Sequence, residues 1–244
     1  MVSFGLYGTD RKYVEGAVRN AELAETYFPG WVCRFYVSPS GGVPLEDLDR
    51  LRELGAEVVE PPGDLLEGEA AGMFWRFLVA DDESVGRFIV RDSDSRLNAR
   101  DRLAVEEWIV SGKSVHTIRD HVNHKRTMNG GLWGGTRGCI PGGIGTIIRD
   151  GKFKKMDGYM QDIYLLTDLV WPLVESSHTG HDAYSCSQFA SRPFPTRRDD
   201  NYQHVGQVFD KDDNPRMGDI NGFIRGRKND PKCRPVDHQD WIYG

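Results

Sequence analysis

The apolar positions fall into short runs separated by helically spaced stretches. Residues 2–7 form an apolar and aromatic run of buried-strand length, and Gly8, Thr9 and Asp10 after it make a turn able to cap a helix. Val14, Ala17, Val18, Ala21 and Ala24 then recur at the three- and four-residue spacing of one helix face, until Pro29-Gly30 stops it. A second run at 32–37 leads through the breaker Ser38-Pro39-Ser40-Gly41-Gly42 to a helix predicted over 45–54. A third strand follows at 57–59, closed by Pro61-Pro62-Gly63. A helix over 70–80 delivers the chain into a fourth strand at 88–90. Strands alternating with helices through short links predict a largely parallel sheet with right-handed crossovers.

Farther along, the pattern predicts a helix over 102–110, a strand over 114–118 and a long stretch rich in Gly and His over 119–145. A helix over 158–170 and a strand over 174–176 follow. From Ser191 the chain is polar, with RPFPTRR and DKDDNPR, and loops with room for one hairpin are expected. The expectation is an α/β fold: one Rossmann-like domain over 1–190, its mainly parallel sheet flanked by helices, with 191–244 an irregular extension packed on the same domain.

Composition narrows this picture. A chain of 244 residues, 39% hydrophobic and 28% charged, can bury one generous core. Its formal net charge of −6 argues against a general nucleic-acid binder, which would carry a basic surplus. No basic segment leads into an apolar run at the start, and no stretch approaches the ~20 apolar residues of a membrane span. A cytoplasmic protein is therefore expected. Cys33, Cys139, Cys186 and Cys233 are widely spaced with no CxxC pair, which favours free thiols over a disulfide framework or a zinc knuckle.

Chemistry concentrates in RFIVRDSDSRLNARD, residues 87–101. The strand at 88–90 ends in Asp92 and Asp94, which share one side of an extended backbone and aim their oxygens at one spot. Hard carboxylate oxygens at that spacing suit Mg²⁺ or Mn²⁺, and open α/β sheets bind ligands beyond the carboxyl ends of their strands. A calcium loop counted from Asp92 would need Gly and Glu where Leu97 and Leu103 stand, so that reading fails. An aspartyl-nucleophile phosphatase would want Thr or Val where Arg96 stands. Taken alone, two acids after a strand are most simply solvated turn residues.

The surrounding sequence adds to this. MFWRFLVADDESVGRFIVRDSDSRL resembles the segment of GT-A fold, nucleotide-sugar-dependent glycosyltransferases in which an Arg-bearing helix precedes the DxD strand. GLYGTDRKYVEGA is similar to their nucleotide-holding first turn, which implies contacts from Tyr7, Thr9, Asp10 and Tyr13. MNGGLWGG is similar to their Asn-x-Gly segment near the donor sugar, implying Asn129, Gly130 and Gly131. MQDIYLL is similar to their Asp-Gln-Asp segment at Gln161 and Asp162, with Met160 in place of the first acid. The likeness to glycogenin-like hexosyltransferases spans roughly residues 1–185 in element order.

That resemblance implies transfer of a hexose from a nucleoside-diphosphate sugar, of UDP or GDP, to a glycan or glycoprotein acceptor. Asp92, Ser93 and Asp94 would lie at the metal, and Arg76 would reach a phosphate bidentately unless it pairs with Asp81 or Glu83 instead. Arg91 or Arg96 is the ligand-side arginine of the cluster. A third metal ligand is expected from His178, His181 or His204, with His181 favoured because Asp182 could orient its ring. Asp162 and Asp182 are the candidate bases if the anomeric centre inverts, and would position the sugar if it does not. Trp75 and Trp133 fit core packing better than sugar stacking. His116, His121 and His124 with Cys139 match no zinc spacing. A sugar-phosphate nucleotidyltransferase is the rival enzyme, though GLYGTDRK is a poor phosphate loop, and a catalytically silent nucleotide- or glycan-binding domain is the rival from another class.

Overall fold

A computed structural model describes residues 1–38, 42–65, 71–151 and 160–243, with the Ala71 side chain excepted. Part of the expected 38–42 breaker, the first residue of the expected 70–80 helix and the first two of the 158–170 helix lie outside them. Among the described residues, seven strands form one sheet in the order β3-β2-β1-β4-β6-β5-β7. They are β1 (Val2–Leu6), β2 (Cys33–Val37), β3 (Glu57–Val59), β4 (Arg87–Val90), β5 (Val115–Arg119), β6 (Trp133–Thr136) and β7 (His178–Asp182). Only β6 runs antiparallel to its neighbours, β4 and β5.

Helices α1 (Arg11–Tyr27), α2 (Leu45–Glu53), α3 (Ala71–Trp75) and α4 (Ala99–Ser111) connect the first five strands. Beyond Trp75 the chain tightens into a 3₁₀ turn, Arg76–Asp81. After β6 come α5 (Ile144–Asp150) and then α6 (Gln161–Tyr164), which widens into a π turn at Leu165–Val170 before α7 (Trp171–Val174). Pro172, lacking an N–H and crowding the carbonyl four residues back, accounts for the irregularity. A short α8 (Cys186–Phe189) opens the C-terminal part.

One face of the sheet buries Phe77, Phe88, Trp133, Leu165 and Val170; the other buries Phe4, Val14, Val18, Phe35, Ile89 and Trp108. Trp75 is likewise buried, its indole N–H donating to Leu65 O at 2.8 Å, so both tryptophans raised as sugar platforms are core residues. Residues 191–243 have short helical turns and two isolated bridges, Arg192 to His181 and Phe209 to Pro215. They pack back through Phe194 and Val205 onto Ile118 and Leu132.

Three elements differ from expectation. The strand placed at 174–176 lies instead at β7, where His178, His181 and Asp182 hide the strand signal behind polar side chains. β6 was not foreseen, because Trp133-Gly134-Gly135-Thr136 contains no apolar run. A Cβ on Gly134 would come 2.6 Å from Phe88 O, and one on Gly135 2.8 Å from the Phe88 ring, so close strand approach requires glycine there. Cys186 and Cys233 form a buried disulfide with Cα atoms 5.4 Å apart, correcting the expectation of four free thiols; Cys33 and Cys139 are free. Wide sequence spacing conceals a pairing that only the folded tail brings together. Among the described residues, no helix is long and apolar enough to cross a membrane.

Candidate active site

The turn after β4 lies at the sheet's carboxyl edge, and its shape is held from below. Asn20 on α1, fully buried, gives its amide N–H₂ to Ser95 O at 2.8 Å and takes the Leu97 N–H at 3.0 Å. Gly16, one turn earlier, lies so close that a Cβ would come 2.0 Å from Ser93 O. Ser93 itself faces inward, its hydroxyl on Gly5 O at 3.2 Å, which makes it a support rather than a ligand contact. With Ser93 turned in, its neighbours Asp92 and Asp94 lie close enough for their carboxylates to repel each other.

Each acid is held by a cation. Arg76 reaches Asp92 Oδ1 at 2.5 Å through one Nη and Asp162 Oδ2 at 3.0 Å through the other. The salt bridge to Asp81 or Glu83 does not form; Asp81 instead takes the Ile144 and Gly145 N–H groups at 2.8 and 2.7 Å. Lys12 Nζ lies 2.9 Å from Asp94 Oδ2. Burial and the neighbouring charge of Asp92 push the Asp94 carboxyl above its ordinary value, with Lys12 and Arg76 pulling the other way. Burial also raises Asp162 against the pull of Arg76.

The turn just before β6, Asn129, Gly130 and Gly131, presses on the same group. A Cβ on Gly131 would come 2.1 Å from Asp92 Oδ2, and one on Gly130 2.3 Å from Asp162 Oδ2. The Asn129 side chain is buried, and its amide nitrogen has no hydrogen-bond partner. Met160, at the head of α6, takes a φ of 101°, an uncommon conformation for a residue with a side chain, as the chain turns to deliver Asp162. Tyr7 and Tyr13 are partly exposed at the other side, Tyr7 edge-on to Trp75 and Tyr13 under the Lys12 ammonium at 4.2 Å. Thr9 is exposed beside them. Asp10 caps α1, accepting the Lys12 backbone N–H at 2.9 Å, so its carboxylate is already engaged.

Several expected roles are not available. Arg91 is buried and forked onto Asp101 at 2.5 and 2.7 Å, well inside the protein, and Arg96 is bound to Asp213 at 2.6 Å and lies over the Phe209 ring. Both arginines are engaged by these partners rather than by the acid pair. His181 shares Nδ1 with His116 Nε2 at 2.8 Å and Nε2 with Glu107 at 2.9 Å, which leaves no ring nitrogen for a metal. It also sits on the edge strand, three places from β4 in the sheet, roughly 14 Å at ordinary strand spacing. Asp182 is fully buried, bridged to Arg119 at 2.7 Å and accepting the Tyr184 and Ser185 N–H groups, so it is a structural acid and not a base. His178 is tied to the Thr117 hydroxyl at 2.7 Å, and burial pushes it down to about 3.

His116, His121, His124 and Cys139 are not one cluster. His121 and His124 meet His204 instead, with ring centroids 4.7 to 5.8 Å apart, while His116 lies under His181 and stacks on Trp108. These three rings adjoin Asp120, a buried carboxylate shared by Arg100 and Arg198. Sequence reasoning missed Lys12, Asn20 and Gly16, which share the α1 face nearest the acids. The helical spacing of Lys12, Gly16 and Asn20, each four apart, was the available signal.

The sequence matches no family model and no curated protein. Among solved structures, the fold is similar to glucosyl-3-phosphoglycerate synthase from Mycobacterium tuberculosis in complex with phosphoglyceric acid, with a TM-score of 0.45 and 14% identity over 73% of this chain and 67% of that one. The galactosyltransferase LgtC, in complex with donor and acceptor sugar analogs, gives 0.46 and 13% over 76% and 74%. The same synthase with Mn²⁺, UDP-glucose and glycerol 3-phosphate gives 0.44 and 14% over 74% and 69%.

Proposed function

We propose that the chain is a metal-dependent glycosyltransferase of the GT-A kind, moving a hexose from a nucleoside-diphosphate sugar to a glycan or glycoprotein acceptor. The observation that carries this is the pairing of Asp92 and Asp94 at the sheet rim, each already neutralised by a basic side chain and one pressed against Gly131. Two oxygen donors that need cations beside them fit Mn²⁺ or Mg²⁺. When bound, such an ion takes up the charge that develops on the departing diphosphate.

The protein's own groups supply the rest. Arg76, with one Nη taken by Asp92 and the other by Asp162, holds the two carboxylates in register instead of reaching a phosphate bidentately. Tyr7, Thr9 and Tyr13 offer exposed surface for the nucleotide. Asn129, whose amide nitrogen lacks a partner, would donate it to a sugar hydroxyl, and Gly130 and Gly131 would let the backbone come close. Asp162 is the carboxylate left in the cleft to accept the acceptor's proton or to orient the sugar. For a third metal ligand His204 remains: its Nδ1 is buried without a partner, and its segment runs on to Phe209, whose N–H donates to Asp94 O at 2.9 Å.

The test is release of nucleoside diphosphate from a panel of UDP- and GDP-sugars with Mn²⁺. Asp94→Asn is expected to lower it at least 100-fold while the melting temperature stays within a few degrees. Unaltered turnover would refute the metal role, and tight nucleotide binding without release would point to the silent domain.

A further inference from the structure

We infer that Lys12 is a transferable cation, resting on Asp94 until a metal ion binds and then serving the diphosphate of the donor; this rests on the metal reading of Asp92 and Asp94. Lys12 lies in the first turn of α1, a turn with no acidic residue, where the helix dipole favours anions and disfavours a lysine. Its neighbour Arg11 is held there by Asp47 at 2.7 Å and by Glu15. Lys12 is held at 2.9 Å by Asp94, with its ammonium 4.2 Å above the Tyr13 ring. The contact therefore occupies an oxygen that a metal would need.

The two cations at the acids differ in how firmly they are fixed. Arg76 bonds two carboxylates and cannot leave one without stranding the other. Lys12 bonds one, its side chain is 29% exposed, and it is a compact charge on a flexible stem. A divalent ion on Asp94 repels the ammonium and takes away its partner. A diphosphate arriving beside the same helix end offers new oxygens within the side chain's sweep. Lys12 thus weakens metal binding to the free protein and strengthens nucleotide binding once the metal is present, which orders the two events.

Lys12→Met keeps the stem and removes the charge. Titration of Mn²⁺ alone, followed by the electron paramagnetic resonance of the free ion, is expected to show about tenfold tighter binding than in the unmodified protein. Calorimetric titration of UDP and of GDP at saturating Mn²⁺ is expected to show about tenfold weaker binding of whichever nucleotide the protein takes. Lys12→Arg should restore the second and not the first beyond the unmodified level. Equal or weaker Mn²⁺ binding by Lys12→Met, or unchanged nucleotide binding, overturns the inference. Failure of the underlying reading looks different: the unmodified protein then binds no Mn²⁺, or binds it as well after Asp94→Asn, and the inference falls with it.

Discussion

Replacing Gly131 by alanine adds one methyl group in the turn before β6, against Asp92. Its φ is not in the left-handed region, so alanine meets no backbone penalty and the effect is purely one of space. The new carbon would lie 2.1 Å from Asp92 Oδ2, 2.4 Å from its Cγ and 2.8 Å from its backbone N. Ordinary contact starts at 3.4 Å, so the carboxylate must retreat by about 1.3 Å. Its backbone is blocked on the same side, and Arg76 holds Oδ1 at 2.5 Å, so the retreat also disturbs Asp162. A displacement near 1 Å at a reacting group costs roughly 100-fold, about 2.7 kcal/mol of barrier. Overpacking of this kind costs about 1–3 kcal/mol of stability. The assay is Mn²⁺-dependent diphosphate release, with Mn²⁺ affinity measured alongside. Gly86→Ala is the control, because a Cβ there meets nothing and needs no unusual backbone. Should Gly131→Ala keep wild-type turnover and Mn²⁺ affinity, Asp92 is not where the chemistry happens.

Other outcomes test the frame around the site. Burial and mutual repulsion hold His116 below its ordinary value of 6.5, and burial does the same to His181 despite Glu107. A depressed folded value means that the unfolded chain takes up protons first. Stability from these two is complete above pH 6.5 and lost as pH falls, by up to about 1.4 kcal/mol each at pH 5.5, measurable by urea unfolding across that range. Cys233→Ser opens a disulfide spanning 47 residues and should lower unfolding free energy by about 2–4 kcal/mol; equal stability in reduced and oxidised protein would count against the bridge. Arg91→Leu strands the fully buried Asp101 and should cost about 3–5 kcal/mol, read from the same unfolding curves, which a surface arginine would not do.

Much of the first half of the chain was open to reading because its strands are continuous apolar runs and its α1 face repeats cleanly. Phe88, Ile89 and Val90 put the acids at a strand's carboxyl end, and that placement held. What escaped notice were elements whose burial depends on partners far along the chain. β7 is polar in sequence and buried in fact, because Arg119 neutralises Asp182 and His116 shares a proton position with His181. The arginines looked interchangeable in sequence, yet Arg91 and Arg96 are drawn inward by Asp101 and Asp213, the latter 117 residues away, and Arg76 alone of the three faces the acids. No local pattern reports such long-range pairings.

The reversed direction of β6 has a practical bearing on redesign. Since β5 arrives at the sheet edge where β4 delivers Asp92 and Asp94, and β6 departs from it, the segment 120–132 starts and finishes on one edge and never has to cross the sheet. Buried Met128 and Leu132 moor one end and Asp120 the other, while Asn123, Lys125 and Arg126 stand out in solvent. A combinatorial library confined to those three exposed positions can vary the surface beside Asp92 and Asp94 while every strand keeps its register, making this hairpin-like excursion the natural place to test for a changed acceptor under the proposed function.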